Sequence, residues 1–375
     1  MTQHLAHGLD GAHTAPDWPP LRTTEVAGVL ARFPSAGALL GIAWSSPRPL
    51  SAAALVDTSR GRLFIKRHHV SVRTTGILGE EQRFAAHLRQ RGIPVPALLA
   101  DADGRTAIRD GAWVYEVQEQ AAGIDLYRDL MSWQPPRTPA HARAAGAMLA
   151  DLQRAAADHA APQRATHLLV ARSEILLAAD PVKELARQLP DRPGLAACLA
   201  ERPWEQELAA ALHPWTTAAT QAGCADLPPA WTHGDWHVSN LTWSDDGGDA
   251  TVRAVLDFGL AARNVALFDL ATAIERNAIA WLQPPERRAR PDLARALIRG
   301  YRERLPLDAA ALECLAALLP LVHVDFALSE MEYFDAITGS RANADVAWNT
   351  FLIGHAAWFG TPAGQALLAT VRRGD

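Results

Sequence analysis

Residues 231–240 read Trp-Thr-His-Gly-Asp-Trp-His-Val-Ser-Asn, and residues 255–259 read Val-Leu-Asp-Phe-Gly. Four residues separate Asp235 from Asn240, and Asp257 follows in a second apolar run. Phosphoryl transfer calls for this set of parts. One carboxylate orients a hydroxyl nucleophile, and an Asn and an Asp hold Mg²⁺ on nucleotide phosphates. Asp-Phe-Gly alone is a tripeptide that chance readily supplies, and a buried strand ending in a turn would look the same. Its weight comes from order and context.

The context is a hairpin. Leu241-Thr242-Trp243 and Val252–Leu256 are short β-type runs around the turn Asp245-Asp246-Gly247-Gly248-Asp249,. Asn240 would precede the first strand and Asp257 would follow the second, so both metal ligands meet at one end. A His-x-Asp-x-x-x-x-Asn loop followed by Asp-Phe-Gly is the kinase order. Gly234 stands where a protein kinase carries Arg. That variant resembles the aminoglycoside phosphotransferase and choline kinase family, whose members mostly phosphorylate small molecules. The resemblance implies an α+β fold of the bilobal, protein-kinase-like kind, with a mostly antiparallel β N-lobe, one main N-lobe helix and a larger helical C-lobe. It further implies Asp235 as the catalytic residue, Asn240 and Asp257 as metal ligands, and Mg²⁺ with ATP as the phosphoryl donor, GTP remaining open.

Lysine usage gives an independent signal. Of 36 Lys and Arg residues only Lys66 and Lys183 are Lys, so Arg supplies the generic surface charge. Lys66 lies in Leu63-Phe64-Ile65-Lys66-Arg67, which alternates like a strand after the turn Thr58–Gly61. A compact ammonium can reach between α- and β-phosphates as a point charge, where a planar guanidinium is a different tool. In this architecture the Lys is held by a Glu of the following helix. Gly76–Arg91 has the helical stripe Ile77, Phe84, Ala85, Leu88 and stops at Gly92. Its adjacent Glu80 and Glu81 point about 100° apart, so only one can face Lys66. Family sequences place their Glu ahead of a Val-Pro pair resembling Pro94-Val95-Pro96, which selects Glu81.

Patterning divides the chain. Residues 1–20 have no apolar period and no signal-peptide pattern, and read as a disordered leader. Residues 21–118 form the N-lobe, with strands expected at Ala38–Trp44, Ala52–Asp57, Arg62–Lys66, Arg105–Ile108 and Trp113–Gln118. From 124 to 375 the period becomes helical, with helices expected at 140–159, 166–188, 204–221, 266–282, 308–336 and 343–359. Residues 119–123 between them resemble the family's hinge, whose backbone pairs with adenine. That implies nucleotide contacts from Gln118, Glu119, Gln120 and Ala121. Over the phosphates a protein kinase carries Gly-x-Gly-x-x-Gly. Here Trp44-Ser45-Ser46-Pro47-Arg48-Pro49-Leu50-Ser51 has no glycine. Ser45, Ser46 and Arg48 could touch phosphate, and a Pro-stiffened surface loop is the plain alternative.

Composition bounds the rest. A chain of 375 residues, 49% hydrophobic, has ample core for two lobes,. A net charge of −5 leaves no basic nucleic-acid footprint, and no apolar run suggests a membrane span,. Cys198, Cys224 and Cys314 are scattered without metal spacing, which fits a reduced cytoplasmic protein. Asp325, Glu330, Glu332 and Asp335 cluster beside Tyr333 and Phe334. Facing the cleft they would favour a cationic hydroxyl substrate; otherwise they are a solvated helix face. Asp269 resembles a family position that braces the catalytic loop. The expected activity is phosphoryl transfer to a small-molecule hydroxyl such as an amino alcohol, aminoglycoside, sugar or homoserine-like amino acid. The same fold would also serve a protein Ser/Thr acceptor. His233, Asp235 and His237 at i, i+2, i+4 leave open a His/Asp metal-dependent hydrolase, and a non-catalytic nucleotide-binding protein is the remaining alternative.

Overall fold

The computed structural model describes residues 4–9 and 11–374. The N-terminal part holds the short hairpin β1 (Ala6–His7) and β2 (His13–Thr14), helix α1 (Thr23–Leu30), strands β3 (Leu39–Ser45), β4 (Ala52–Thr58) and β5 (Gly61–His69), helix α2 (Thr75–Gln90), and strands β6 (Ala107–Asp110) and β7 (Trp113–Glu119). Strands β3 to β7 form one antiparallel five-stranded sheet in the order β3-β4-β5-β7-β6. Alternation along β5 sends Leu63 and Ile65 into the core with Val56, Tyr115 and Val117, and leaves Lys66 on the opposite face,. The five expected strands all form, each within two residues at either end except β5, which runs three residues past Lys66.

Helix α2 begins where Thr74 Oγ1 accepts the Ile77 N–H at 3.2 Å and ends before Gly92,. It buries Leu78, Glu81, Phe84 and Leu88 on one face. Beyond Gly123 come helix α3 (Pro139–Ala156), the short helices α4 (Glu174–Leu177), α5 (Pro181–Gln188) and α6 (Pro193–Leu199), then α7 (Trp204–Gln221). Strands β8 (Pro229–Thr232), β9 (Leu241–Trp243), β10 (Val252–Val255) and β11 (Ala262–Val265) form two hairpin-like pairs, β9 with β10 and β8 with β11. Helices α8 (Phe268–Ala278), α9 (Pro291–Arg302), α10 (Ala309–Leu318) and α11 (Val324–Glu332) complete the elements that frame the cleft. Helices α3 and α9 meet backbone to backbone. A Cβ on Gly300 would stand 1.9 Å from the Arg143 carbonyl oxygen, so only glycine permits this contact,.

Three expectations change. The leader is not disordered where the structure describes it; residues 1–3 and 10 lie outside the described residues. Ala6 is fully buried, Trp18 stacks on His69 at 4.9 Å, and its Nε1 donates to Tyr333 Oη at 2.9 Å. Aromatic stacking and hydrogen bonds hold this segment, and neither leaves an apolar period to read. The helix expected over 166–188 starts only at Glu174. Leu169 has φ +50°, and the carbonyls of Leu168 and Leu169 are taken by Arg73, so neither feeds a helix ladder. The run 308–336 breaks after Leu318, and 333–337 and 347–354 are π-helical turns,.

Candidate active site

The loop 233–240 leaves β8 and is fixed by one buried carboxylate. Asp269, near the start of α8, accepts the N–H of His233 at 2.6 Å and of Gly234 at 2.8 Å. Gly234 has φ +79°, and a Cβ there would meet the Leu260 carbonyl oxygen at 2.5 Å. A positive φ and a close backbone approach both require glycine, which accounts for Gly in place of Arg. His233 Nε2 lies 2.8 Å from the Leu256 carbonyl, and its Nδ1 receives the Asp235 N–H at 3.2 Å. The ring thus ties the loop to the chain entering Asp257 and has no nitrogen left for a metal. About two helical turns along α8, Asn277 donates to the Trp236 carbonyl at 2.9 Å and accepts the Val238 N–H at 3.0 Å. Nothing in the sequence singled out Asn277.

Asp235, Asn240, Asp257 and Lys66 line one cavity of about 160 Å³, together with Arg48 and Arg276. Asn240 Nδ2 donates to Asp235 Oδ2 at 3.1 Å and to its carbonyl at 3.0 Å. His237 Nε2 stands 3.3 Å from Asp235 Oδ2, and Arg276 Nε 3.6 Å from Oδ1. Burial opposes the charge on Asp235, but His237 and Arg276 overcome it and hold the carboxyl far below the usual carboxylate range,. Burial lowers the pKa of His237 although Asp235 opposes this, so the ring is a neutral hydrogen-bonding neighbour of that carboxylate.

Asp257 has φ +55°, a conformation that few non-glycine residues adopt, and it turns the carboxylate back toward β5,. Lys66 Nζ lies 3.1 Å from both of its oxygens. Burial opposes the Lys66 charge, yet Asp257, Glu116 and Glu81 together raise its pKa, so the ammonium is retained.

Glu81 does not grip Lys66 as expected. It pairs with Arg164 at 3.2 Å and stands 3.7 Å from Arg73 Nε, while Glu80 takes Arg164 Nε at 3.0 Å. Arg164 has a side chain with no solvent exposure. A buried guanidinium needs a neutralising carboxylate, so Arg164 draws both glutamates. Arg73 and Arg164 were not legible as site neighbours, because one arginine among many carries no sequence signature.

The hinge residues Gln118, Glu119, Gln120 and Ala121 do not line this cavity. The Glu119 N–H is donated to the Ala97 carbonyl at 2.9 Å, and the Ala122 carbonyl accepts from Thr242 Oγ1 at 2.5 Å. Of the acidic cluster only Glu330 lines the cavity. Asp325 and Glu332 belong to Arg192, at 3.8 and 3.0 Å, and Asp335 to Arg341 at 3.3 Å. Glu330 has no hydrogen bond or ion pair from its carboxylate among the described residues. Burial pushes it up to about 8, with Arg276 opposing and Asp235 and Glu275 adding repulsion. Among the described residues no three His, Cys, Asp or Glu side chains converge as a metal cluster. Among the described residues no helix is long and apolar enough to cross a membrane.

Comparisons with known proteins bear on the family and the fold. Residues 50–307 match the model of the phosphotransferase enzyme family. A homoserine kinase of Rhodopseudomonas palustris strain TIE-1 is 28% identical over 300 residues, covering 80% of this chain and 79% of its own. A homoserine kinase of Azorhizobium caulinodans is 26% identical over 245 residues, or 65% of this chain and 66% of its own, just under two thirds of that relative. The structure of a microcompartment-associated aminopropanol kinase superposes with TM-score 0.56 at 18% identity, covering 94% of this chain and all of that one. An amicoumacin kinase solved with AMP-PNP and Ca²⁺ gives 0.52 at 15% identity, covering 94% and 92%. The fold is the α+β, kinase-like one that the motifs implied, and the chain belongs to the phosphotransferase enzyme family.

Proposed function

We propose that this protein moves the γ-phosphoryl group of ATP, bound with Mg²⁺, onto the hydroxyl of a compact cationic molecule, an amino alcohol or a homoserine-like amino acid. The observation that carries the reading is the convergence of Asp235, Asn240, Asp257 and Lys66 on one cavity. Asn240 spends its amide nitrogen on Asp235, which leaves Oδ1 as its ligand atom beside the Asp257 carboxylate. Such hard oxygen donors suit Mg²⁺. When bound, the metal neutralises charge that develops on the phosphates.

The chain's own residues do the rest. Lys66 presents its ammonium to the α- and β-phosphates. The Glu119 N–H is given to Ala97, so of the Gln118–Ala121 hinge it is the backbone of Gln120 and Ala121 that takes the adenine edge, beside the cavity. Asp235 accepts the hydrogen bond of the acceptor hydroxyl and takes its proton as the new O–P bond forms and the bond from the γ-phosphorus to the bridging oxygen breaks, releasing ADP. With its pKa so depressed, Asp235 is a weak base. It orients the hydroxyl early and receives the proton late, as a loose transition state permits. Glu330, once ionised, supplies a carboxylate in the cavity for the acceptor's ammonium. Homoserine and aminopropanol each join a hydroxyl to an amine, and the small cavity supports an acceptor of that size over a protein segment. The free, buried thiols Cys198, Cys224 and Cys314 support a reducing, cytoplasmic setting,.

The test is ATP turnover with amino alcohols, homoserine, aminoglycosides and neutral sugars. Turnover concentrated on small amine-bearing alcohols is expected. Preference for neutral sugars would sink the cationic reading, and no turnover with any acceptor would count against the kinase reading.

A further inference from the structure

We infer that Arg48 is the phosphate-binding group of the loop between β3 and β4, and that His7 of the N-terminal hairpin positions it. The inference rests on the phosphotransferase reading above. It starts from the missing glycines. A glycine-rich loop serves nucleotides through backbone N–H groups. Here Pro47 and Pro49 have no N–H to give. The Ser46 N–H goes to the Ala53 carbonyl at 2.8 Å, and the Arg48 N–H to Ser46 Oγ at 3.2 Å. From 46 to 49 the backbone has no free donor, so any phosphate contact there must come from a side chain.

Arg48 is placed for that contact. It lines the same cavity as Lys66, Asp235, Asn240 and Asp257. No carboxylate stands within ion-pairing distance of it among the described residues. Its one side-chain polar contact is NH1 to His7 Nδ1 at 3.1 Å. Burial works against its charge, while Asp125, Asp235 and Asp257 support it from further off. A largely buried guanidinium without an anion is incomplete, and phosphate oxygens match its planar fork.

The N-terminal hairpin holds the loop at three points. Besides the His7–Arg48 bond, the His7 N–H donates to the Pro47 carbonyl at 2.9 Å, and His4 Nε2 reaches the Ser46 carbonyl at 3.1 Å. To accept from Arg48, His7 must be neutral, and burial with the Arg48 charge pushes its pKa down to about 4. The hairpin thus gives the loop the fixed shape that glycine turns give elsewhere.

The experiment measures binding of AMP-PNP and of AMP, each with Mg²⁺, to the full chain by calorimetry, with thermal melts. Arg48→Gln is expected to weaken AMP-PNP roughly ten- to hundredfold, the cost of losing a charged hydrogen bond, while AMP and the melting temperature hold. Arg48→Lys is expected to recover part of the loss. His7→Ala is expected to weaken AMP-PNP less, and to add nothing in the Arg48→Gln background, since the two act as one unit. Equal losses for both nucleotides with a lowered melt would make Arg48 structural and overturn the inference. Unchanged AMP-PNP binding by Arg48→Gln, with a wild type that binds, would overturn it alone. A wild type that binds neither nucleotide would overturn the phosphotransferase reading, and this inference with it.

Discussion

Lys66 and Asp257, 191 residues apart in sequence, stand 3.1 Å apart, the ammonium bridging both carboxylate oxygens. One is the proposed phosphate anchor and the other a proposed metal ligand. Each neutralises the other across the cleft, and a metal nucleotide would exchange that single pair for two new ones. In the proposed role the Lys66 ammonium serves by its size as well as its charge.

Lys66→Arg should therefore abolish most activity with the fold intact, because the planar fork cannot take the place of a point donor between strand and cleft. Lys183→Arg is the internal control, since Lys183 is exposed and among the described residues pairs only with Asp180 at its own helix start. Steady-state kinetics and melts on both variants decide it. Equal behaviour of the two would remove Lys66 from nucleotide anchoring.

Asp235→Asn should lower turnover on the order of a hundredfold or more while nucleotide affinity changes only a few-fold, because the group acts on the acceptor. It should also leave Arg276 without this ion partner. Retained turnover would eliminate Asp235 from the chemistry.

Glu330 sets a pH dependence. Its folded pKa is raised to about 8, so below that pH it is largely protonated and cannot attract a cation. The kcat/KM for an amine-bearing acceptor should rise with pH as Glu330 ionises, with its midpoint near pH 8. Glu330→Gln should flatten this profile and raise the acceptor KM. For stability the sign reverses. A carboxyl whose folded pKa exceeds its unfolded one costs stability as pH rises, so Glu330→Gln should melt higher than wild type at alkaline pH. A pH profile unchanged by the substitution would separate Glu330 from acceptor binding.

Asp269→Ala leaves the His233 and Gly234 N–H groups without an acceptor in a buried site. The expected cost is about 2–4 kcal/mol of stability, from two unsatisfied donors, together with a fall in kcat as the loop loosens. Chemical denaturation with activity measured on the folded fraction checks both. A loss of stability without any loss of kcat would show that the loop keeps its shape unaided.

The sequence by itself determined the class of fold, and it marked Asp235, Asn240, Asp257 and Lys66, which meet in one cavity. Asp235, Asn240 and Asp257 are legible because their spacing is set by one local hairpin, and the strands because alternation is a local property. Gly234, too, is fixed by local need, a positive φ under the Leu260 carbonyl. Tertiary structure decided which charges meet. Glu81 is a helix-face glutamate in sequence, and only the burial of Arg164 from a distant segment draws it from Lys66. Four acids near 325–335 look alike in sequence; Arg192 and Arg341 claim three, and Glu330 alone is left to the cavity. The N-terminal segment has no period to read, since stacking on His69 and hydrogen bonds to Tyr333 hold it, and those partners lie far along the chain. Ion pairing and aromatic contact between remote segments depend on distance in space, and sequence spacing carries no record of that.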